Sequence, residues 1–214
     1  MLLLAVLSFT GACGDDDGTT APCGIIWQAT TDQPEATVAI RQGALVLEVE
    51  DAVPPRSASA LQGRVFGDFT ATATFEQFSA GEGVGGYARL ILRDLARPDL
   101  GEVQAALGDF QVRATVGDST RQQAAVGTSG SFTITRSGAE VTVITTSGGS
   151  IISLSRDYIA TPVTIGFEVG SDSLELAGRT GIHITDFQII SSDTSGFFSA
   201  SSDAFDCPTT LRVF

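Results

Sequence analysis

Apolar and polar residues alternate one for one along several stretches of the chain. Phe69, Ala71, Ala73 and Phe75 fall on one side of an extended backbone and Thr70, Thr72, Thr74 and Glu76 on the other, because successive side chains of a strand point to opposite faces. The same period recurs in Leu45, Leu47 and Val49, in Ala88, Leu90 and Leu92, in Phe110, Val112, Ala114 and Val116, and in Val163, Ile165, Phe167 and Val169. Each run predicts a half-buried antiparallel strand with its oily face inward. Gly67-Asp68, Gly117-Asp118, Ser137-Gly138 and Ser147-Gly148-Gly149 stand between the runs, and these residue types favour tight turns. No stretch carries the apolar period of an amphipathic helix longer than a turn or two. Many strands with tight turns and no helical crossovers predict an all-β fold, a two-sheet antiparallel β-sandwich.

One run breaks phase in an informative way. Ile182 and Ile184 share a face with Phe187 and Ile189 only if one extra residue is absorbed near Thr185 or Asp186, so a β-bulge is predicted there. Trp27, within Gly24-Ile-Ile-Trp-Gln28, reads as the core anchor of an early strand.

Composition narrows the picture. A chain of 214 residues suits one generous sandwich domain. Its 12 basic residues are all Arg, and 25 acidic groups bring the formal charge to -13. Such a field repels phosphate backbones, so nucleic acid is not an expected partner.

The first 12 residues are uncharged, apolar and too short to span a bilayer, and they end in small residues, as a cleaved leader does. Thr10-Gly11-Ala12-Cys13 resembles the lipobox of bacterial lipoproteins, with Thr10 where leucine is usual. The resemblance implies a signal peptide over residues 1–12 and acylation of Cys13, which would anchor the protein to a membrane through several acyl chains. The alternative is an ordinary secretory leader cut near Ala12, with Cys13 a spare thiol. Residues 13–22 are acidic, polar and turn-rich and read as a flexible tether; residues 23–214 form the domain. The expected address is the bacterial cell envelope, on its periplasmic or cell-surface side. With Cys13 lipidated, Cys23 and Cys207 remain as an even pair in a compartment where disulfides persist. A bridge closing so long a loop would stabilise the fold by about 5 kcal/mol in the chain-entropy model. Two cysteines so far apart and a single histidine make tetrahedral zinc the weaker use. The residues after Ser191, rich in Gly and Ser, read as a surface excursion that returns to deliver Cys207.

Three segments then resemble the concanavalin A-like lectin and glucanase superfamily of jelly rolls. Phe66-Gly-Asp-Phe-Thr-Ala-Thr-Ala-Thr-Phe75 is similar to a strand that follows a small-residue loop and begins Gly-Asp-Phe. Phe132-Thr-Ile-Thr-Arg-Ser-Gly-Ala-Glu-Val-Thr-Val143 resembles a hairpin turned at Arg-x-Gly, and Ile182-His-Ile-Thr-Asp-Phe-Gln-Ile189 the final strand. The resemblance implies a concanavalin A-like jelly roll that binds or cleaves glycans.

The catalytic pattern of that superfamily is absent. Its retaining glucanases carry Glu-x-Asp-x-x-Glu on one strand, which sets two carboxylates about 5 Å apart across the scissile bond; the nearest approach is Glu48-Val49-Glu50-Asp51, read as solvated strand residues. The lone His183 alternates with Ile182 and Ile184 and so points outward, a half-exposed strand residue rather than a catalytic base. No cofactor is called for, although Asp186 at the predicted bulge is a candidate for a structural calcium. The most suggestive surface carries Tyr87, Arg89, Arg93, Gln111 and Arg113, which alternate with buried neighbours. An aromatic ring beside planar hydrogen-bonding groups is what a sugar-binding face requires, so these five are the candidate ligand-binding residues. Sequence therefore points to an envelope-anchored, monomeric, non-catalytic module that recognises a polysaccharide or other glycan. The alternatives are a hydrolase with carboxylates from separate strands and a structural surface lipoprotein.

Overall fold

The computed structural model describes residues 25, 27–31, 36–50, 57–82, 85–94, 96–108, 110–125, 127–158, 162–171, 177–193, 202–203, 205 and 211–213. Cys13, Cys23, Cys207, the leader and the tether lie outside them. Within them the chain forms strands and one short 3-10 helix, Pro98–Leu100.

Two sheets share one strand. The front sheet runs from β15 (Leu211–Val213) through β1 (Trp27–Thr31), the first part of β4 (Ser57–Glu82), β12 (Val163–Ser171), β5 (Gly86–Arg93), β6 (Val103–Gly108) and β7 (Gln111–Val116) to β8 (Ser119–Ala124). The back sheet orders β2 (Ala36–Arg41), β3 (Ala44–Glu50), β13 (Ala177–Asp193), the second part of β4, β9 (Gly130–Ser137), β10 (Glu140–Ser147) and β11 (Ser150–Asp157), with β14 (Ser202–Asp203) beside β13. All neighbours are antiparallel except β1 and β15, which lie parallel with Trp27 opposite Leu211.

The 26-residue strand β4 corrects one expectation. Sequence places a turn at Gly67-Asp68 and a loop before Phe66; instead the chain is extended from Ser57 onward and changes sheet at that point. Gly67 takes φ 62°, an angle that costs a residue without Cβ nothing, and the strand bends there as sheet-switching strands do. Side chains lock the corner: Gly138 N donates to Asp68 Oδ1 at 2.7 Å, Asp68 N to Ser192 Oγ at 3.1 Å, and Ser191 Oγ to the Phe66 carbonyl at 3.2 Å.

Alternation then sorts the side chains. Phe69, Ala71, Ala73 and Phe75, with Leu45, Leu47, Val49, Ala88, Leu90, Leu92, Val163, Ile165, Phe167 and Val169, are all buried between the sheets. Trp27 is the knot of this core, its ring 5.3 Å from Phe167, 5.2 Å from Phe187 and 6.2 Å from Phe205. That ties the front sheet to the back sheet, and each such pair adds about 0.5–1.5 kcal/mol beyond area burial. The predicted bulge is present: Ile184 faces Phe75, Asp186 faces Thr74, and Thr185 is the residue left over.

Phe110 is a second correction. Val112, Ala114 and Val116 are buried as the period requires, but Phe110 precedes β7 at the hairpin turn, with φ 55° and 79% exposure. The turn, not the strand, decides where its ring goes.

Candidate functional site

The register of the front sheet lays its outward residues in rows. Across one row, Gly170 of β12, Tyr87 of β5, Gly108 of β6 and Gln111 of β7 are successive partners; across the next come Glu168, Arg89, Ala106 and Arg113. Strands stand about 4.8 Å apart, so Gln111 and Arg113 lie about 10 Å from Tyr87 and Arg89, beyond a strip of Gly and Ala. The structure thus gathers Tyr87, Arg89 and Arg93 into one cluster and sets Gln111 and Arg113 on the same face two strands away.

The centre of the cluster is a residue that sequence did not single out. Glu168 is 7% exposed, although alternation between Phe167 and Val169 aims it outward. Its Oε1 accepts from the Tyr87 hydroxyl at 2.7 Å and from Arg89 Nη2 at 2.5 Å, and its Oε2 accepts from Arg93 Nη2 at 2.8 Å. Glu102, just before β6, accepts from Arg93 Nε at 2.6 Å and from Gln104 Nε2 at 2.6 Å, and lies 3.5 Å from Arg89 Nη1. The Arg89 guanidinium also sits 4.5 Å from the centre of the Tyr87 ring, within cation–π range. Burial acts to push the Glu168 carboxyl up, but the Arg89 and Arg93 charges and the Tyr87 hydrogen bond outweigh it and hold the group below the usual carboxylate range. Burial likewise opposes the charge on Arg93, and Glu168 and Glu102 overcome it and raise its pKa.

The arrangement is a neutral, half-buried net: two guanidiniums committed to two carboxylates, under a tyrosine ring. Burying these charges together is tolerable only because each has a partner. Within the net, Arg89 Nε is buried with no hydrogen-bond partner. Within the net Arg93 and Glu102 each stay about a third exposed, at 31% and 32%, and Tyr87, Gln104 and, two strands away, Gln111 are half-buried on the same face, a set able to hydrogen-bond hydroxyl groups.

The remaining candidates lie elsewhere. Glu48 and Glu50 are on the back sheet, 3.4 Å and 3.5 Å from Arg179, paired surface residues as their alternation suggests. His183 is half-buried on the same outer face, opposite Val46 and Glu76, and borders a shallow depression with Arg41, Glu48 and Arg179. Asp186 is exposed at the bulge, and among the described residues no group of three or more His, Cys, Asp or Glu side chains is placed to hold a metal.

The signal for Glu168 was an acidic residue flanked by Phe167 and Val169 in an otherwise apolar strand. Its partners come from a strand some eighty positions earlier, and nothing in the local pattern announces that pairing.

Comparison with solved structures gives the class. A functionally unknown protein from Saccharomyces cerevisiae aligns with 78% of this chain and 97% of its own, at TM-score 0.54 and 13% identity. An alginate lyase from polysaccharide lyase family 7 aligns over 77% and 85%, at TM-score 0.51 and 12% identity. A legume lectin-like domain from Entamoeba histolytica aligns over 77% and 90%, at TM-score 0.50 and 9% identity. The chain has a jelly-roll sandwich fold; identities this low speak to fold alone. No protein-family model matches the chain, and neither does any curated protein sequence.

Proposed function

We propose that the protein is a cell-envelope lipoprotein, anchored through Cys13, that binds an extended polysaccharide across the outer face of its front sheet. The observation that carries the reading is the Tyr87–Arg89–Arg93 net built on Glu168 and Glu102, with Gln111 and Arg113 across a floor of Gly108 and Ala106. Small residues let a ligand lie close to the backbone, and the net holds its side chains in place before the ligand arrives, which lowers the ordering cost of binding. One structural neighbour is an alginate lyase and another a legume lectin-like domain, and both support a polysaccharide as the ligand class.

The charge state favours a neutral glycan over an anionic one. Both guanidiniums are already spent on protein carboxylates, and the chain as a whole carries -13, so a polyuronate is repelled at long range and finds no free cation in the net. Affinity electrophoresis through gels containing β-glucan, xylan, mannan or alginate tests this directly. The expected result is retardation in at least one neutral gel, lost on Tyr87→Ala; mobility unchanged in all four overturns the reading.

A hydrolase is the second reading, because Glu168 and Glu102 are two carboxylates drawn together from separate elements by Arg93. Glycoside hydrolysis needs one of the pair protonated to assist the leaving group, and the net holds Glu168 ionised. Reducing-sugar release from the retained polysaccharide, abolished by Glu168→Gln, would favour the enzyme.

The anchor and the Cys23–Cys207 bridge belong to the same proposal. Cys23 stands four residues before Trp27 and Cys207 four before Leu211, and Trp27 and Leu211 are register partners in parallel strands. Intact-mass measurement of the mature protein is expected to show a triacylated or diacylated N-terminal cysteine and a gain of two mass units on reduction. An unmodified N-terminal peptide rules out the anchor, and two alkylatable thiols rule out the bridge.

A further inference from the structure

At the open end of the sandwich, beside the β6–β7 hairpin, lies a cavity of about 350 Å3 bounded by Phe78, Leu107, Phe110, Gln111, Gly127 and Thr128. Its walls are built before any ligand arrives. Ala125 N donates to the Phe110 carbonyl at 2.8 Å, Phe78 N to the Thr128 carbonyl at 2.9 Å, and Ser147 Oγ to the Gly127 carbonyl at 3.1 Å. The loop leaves no slack at Gly127, where a Cβ would meet Gly148 N at 2.5 Å.

Phe110 is the odd residue at this mouth. It holds a bulky ring 79% exposed and a backbone at φ 55°, so it is unfavourable twice over: apolar surface is left in water and a side chain occupies the left-handed region that Gly or Asn would take at no comparable cost. A hairpin that needed only to reverse direction would be better served by either. Strain of this kind is a reason to look for a ligand contact.

The cavity is continuous with the glycan face. Gly108 and Gln111 line it, and they are also the partners that complete the Tyr87 row across the front sheet. Moving along β5 from Arg93 through Arg89 to Tyr87, about 20 Å of strand, a bound chain would arrive at the hairpin tip.

We infer that this cavity is the end subsite of that face and takes a single pyranose ring of a neutral polysaccharide, its C–H side against Phe110 and Phe78 and its hydroxyls toward Gln111 and Thr128. Aromatic rings stack on the apolar face of a sugar while polar neighbours fix its orientation, and the cavity offers both within one rigid frame. The inference rests on the glycan-binding reading above and adds to it the place where the chain is gripped.

The test is calorimetric titration of the whole exported protein with laminarihexaose, cellohexaose, xylohexaose and mannohexaose, using wild type, Phe110→Gly and Phe110→Trp. Glycine relieves the backbone, so Phe110→Gly is expected to melt no earlier than wild type yet to bind the preferred hexasaccharide at least five-fold more weakly; Phe110→Trp keeps a stacking surface and stays within two-fold. Amide shifts of Gly108, Gln111, Gly127 and Thr128 on titration, absent in Phe110→Gly, place the sugar. Wild-type affinity in Phe110→Gly overturns the subsite and leaves the glycan face standing, whereas a wild-type protein that binds none of the four sugars overturns both.

Discussion

Across β4, β9, β10 and β11 on the outer face of the back sheet, neighbouring strands meet through hydroxyls: Thr70 with Thr135 at 3.2 Å, Thr72 with Thr133 at 3.5 Å, Ser131 with Thr146 at 2.9 Å and Thr142 with Ser155 at 2.8 Å. At the centre of the outer face of the front sheet they meet through charge, in the net that joins β5, β12 and the approach to β6. Both faces come from the same two-residue alternation over the same core. The hydroxyl ladder is made of independent pairs, each worth about 0.2–1 kcal/mol and each replaceable without disturbing the next. The net is cooperative: removing one member strands the others, because a half-buried charge without its partner costs more than the pair contributed. A face kept only to be wet needs the first design; one that must hold side chains in fixed positions needs the second.

The sharpest way to break the contrast is to remove the central carboxylate. Glu168→Gln leaves Arg89 and Arg93 facing a neutral amide and is expected to cost about 3 kcal/mol, read as a lowered midpoint in urea. A loss below about 0.5 kcal/mol would mean that the two faces are energetically alike. A weaker effect of the same origin appears with pH. Because the folded state holds the Glu168 carboxyl below its usual range, its contribution to stability is complete above the unfolded value of about 4.3 and is lost as pH falls through the lower folded value. Stability should therefore drop below about pH 4.3 by more in wild type than in Glu168→Gln. Parallel acid limbs for the two proteins would contradict the assignment. The smallest effect belongs to the ladder: Thr72→Val and Thr133→Val, each on a half-buried surface, are expected to change stability by no more than about 1 kcal/mol and to leave polysaccharide retardation untouched. A larger loss would show that the back face, too, is a coupled structure.

The comparison also shows how much of the molecule can be read from the chain. The strand at Phe69–Phe75, the bulge between Ile184 and Asp186, the buried Trp27 and the outward Tyr87, Arg89 and Arg93 were all legible, because a period of two fixes the face of each side chain from its neighbours alone. Three things were not. Gly67-Asp68 reads as a turn, but β4 continues through it as a corner between sheets. Phe110 keeps phase with Val112 and Ala114, but the hairpin takes it out of the strand. Glu168 is not singled out by the local pattern, but it sits at the centre of the candidate site.

Local alternation thus determined the all-β class, the composition of the core and the side of the sheet on which each candidate residue stands. Which strands lie next to one another was decided only in three dimensions, because pairing is settled by the packing of two whole sheets around Trp27 and its ring partners rather than by any short stretch. The meeting of Glu168 with Arg89 and Arg93, and of Phe110 with the cavity at the end of the sandwich, followed from that packing.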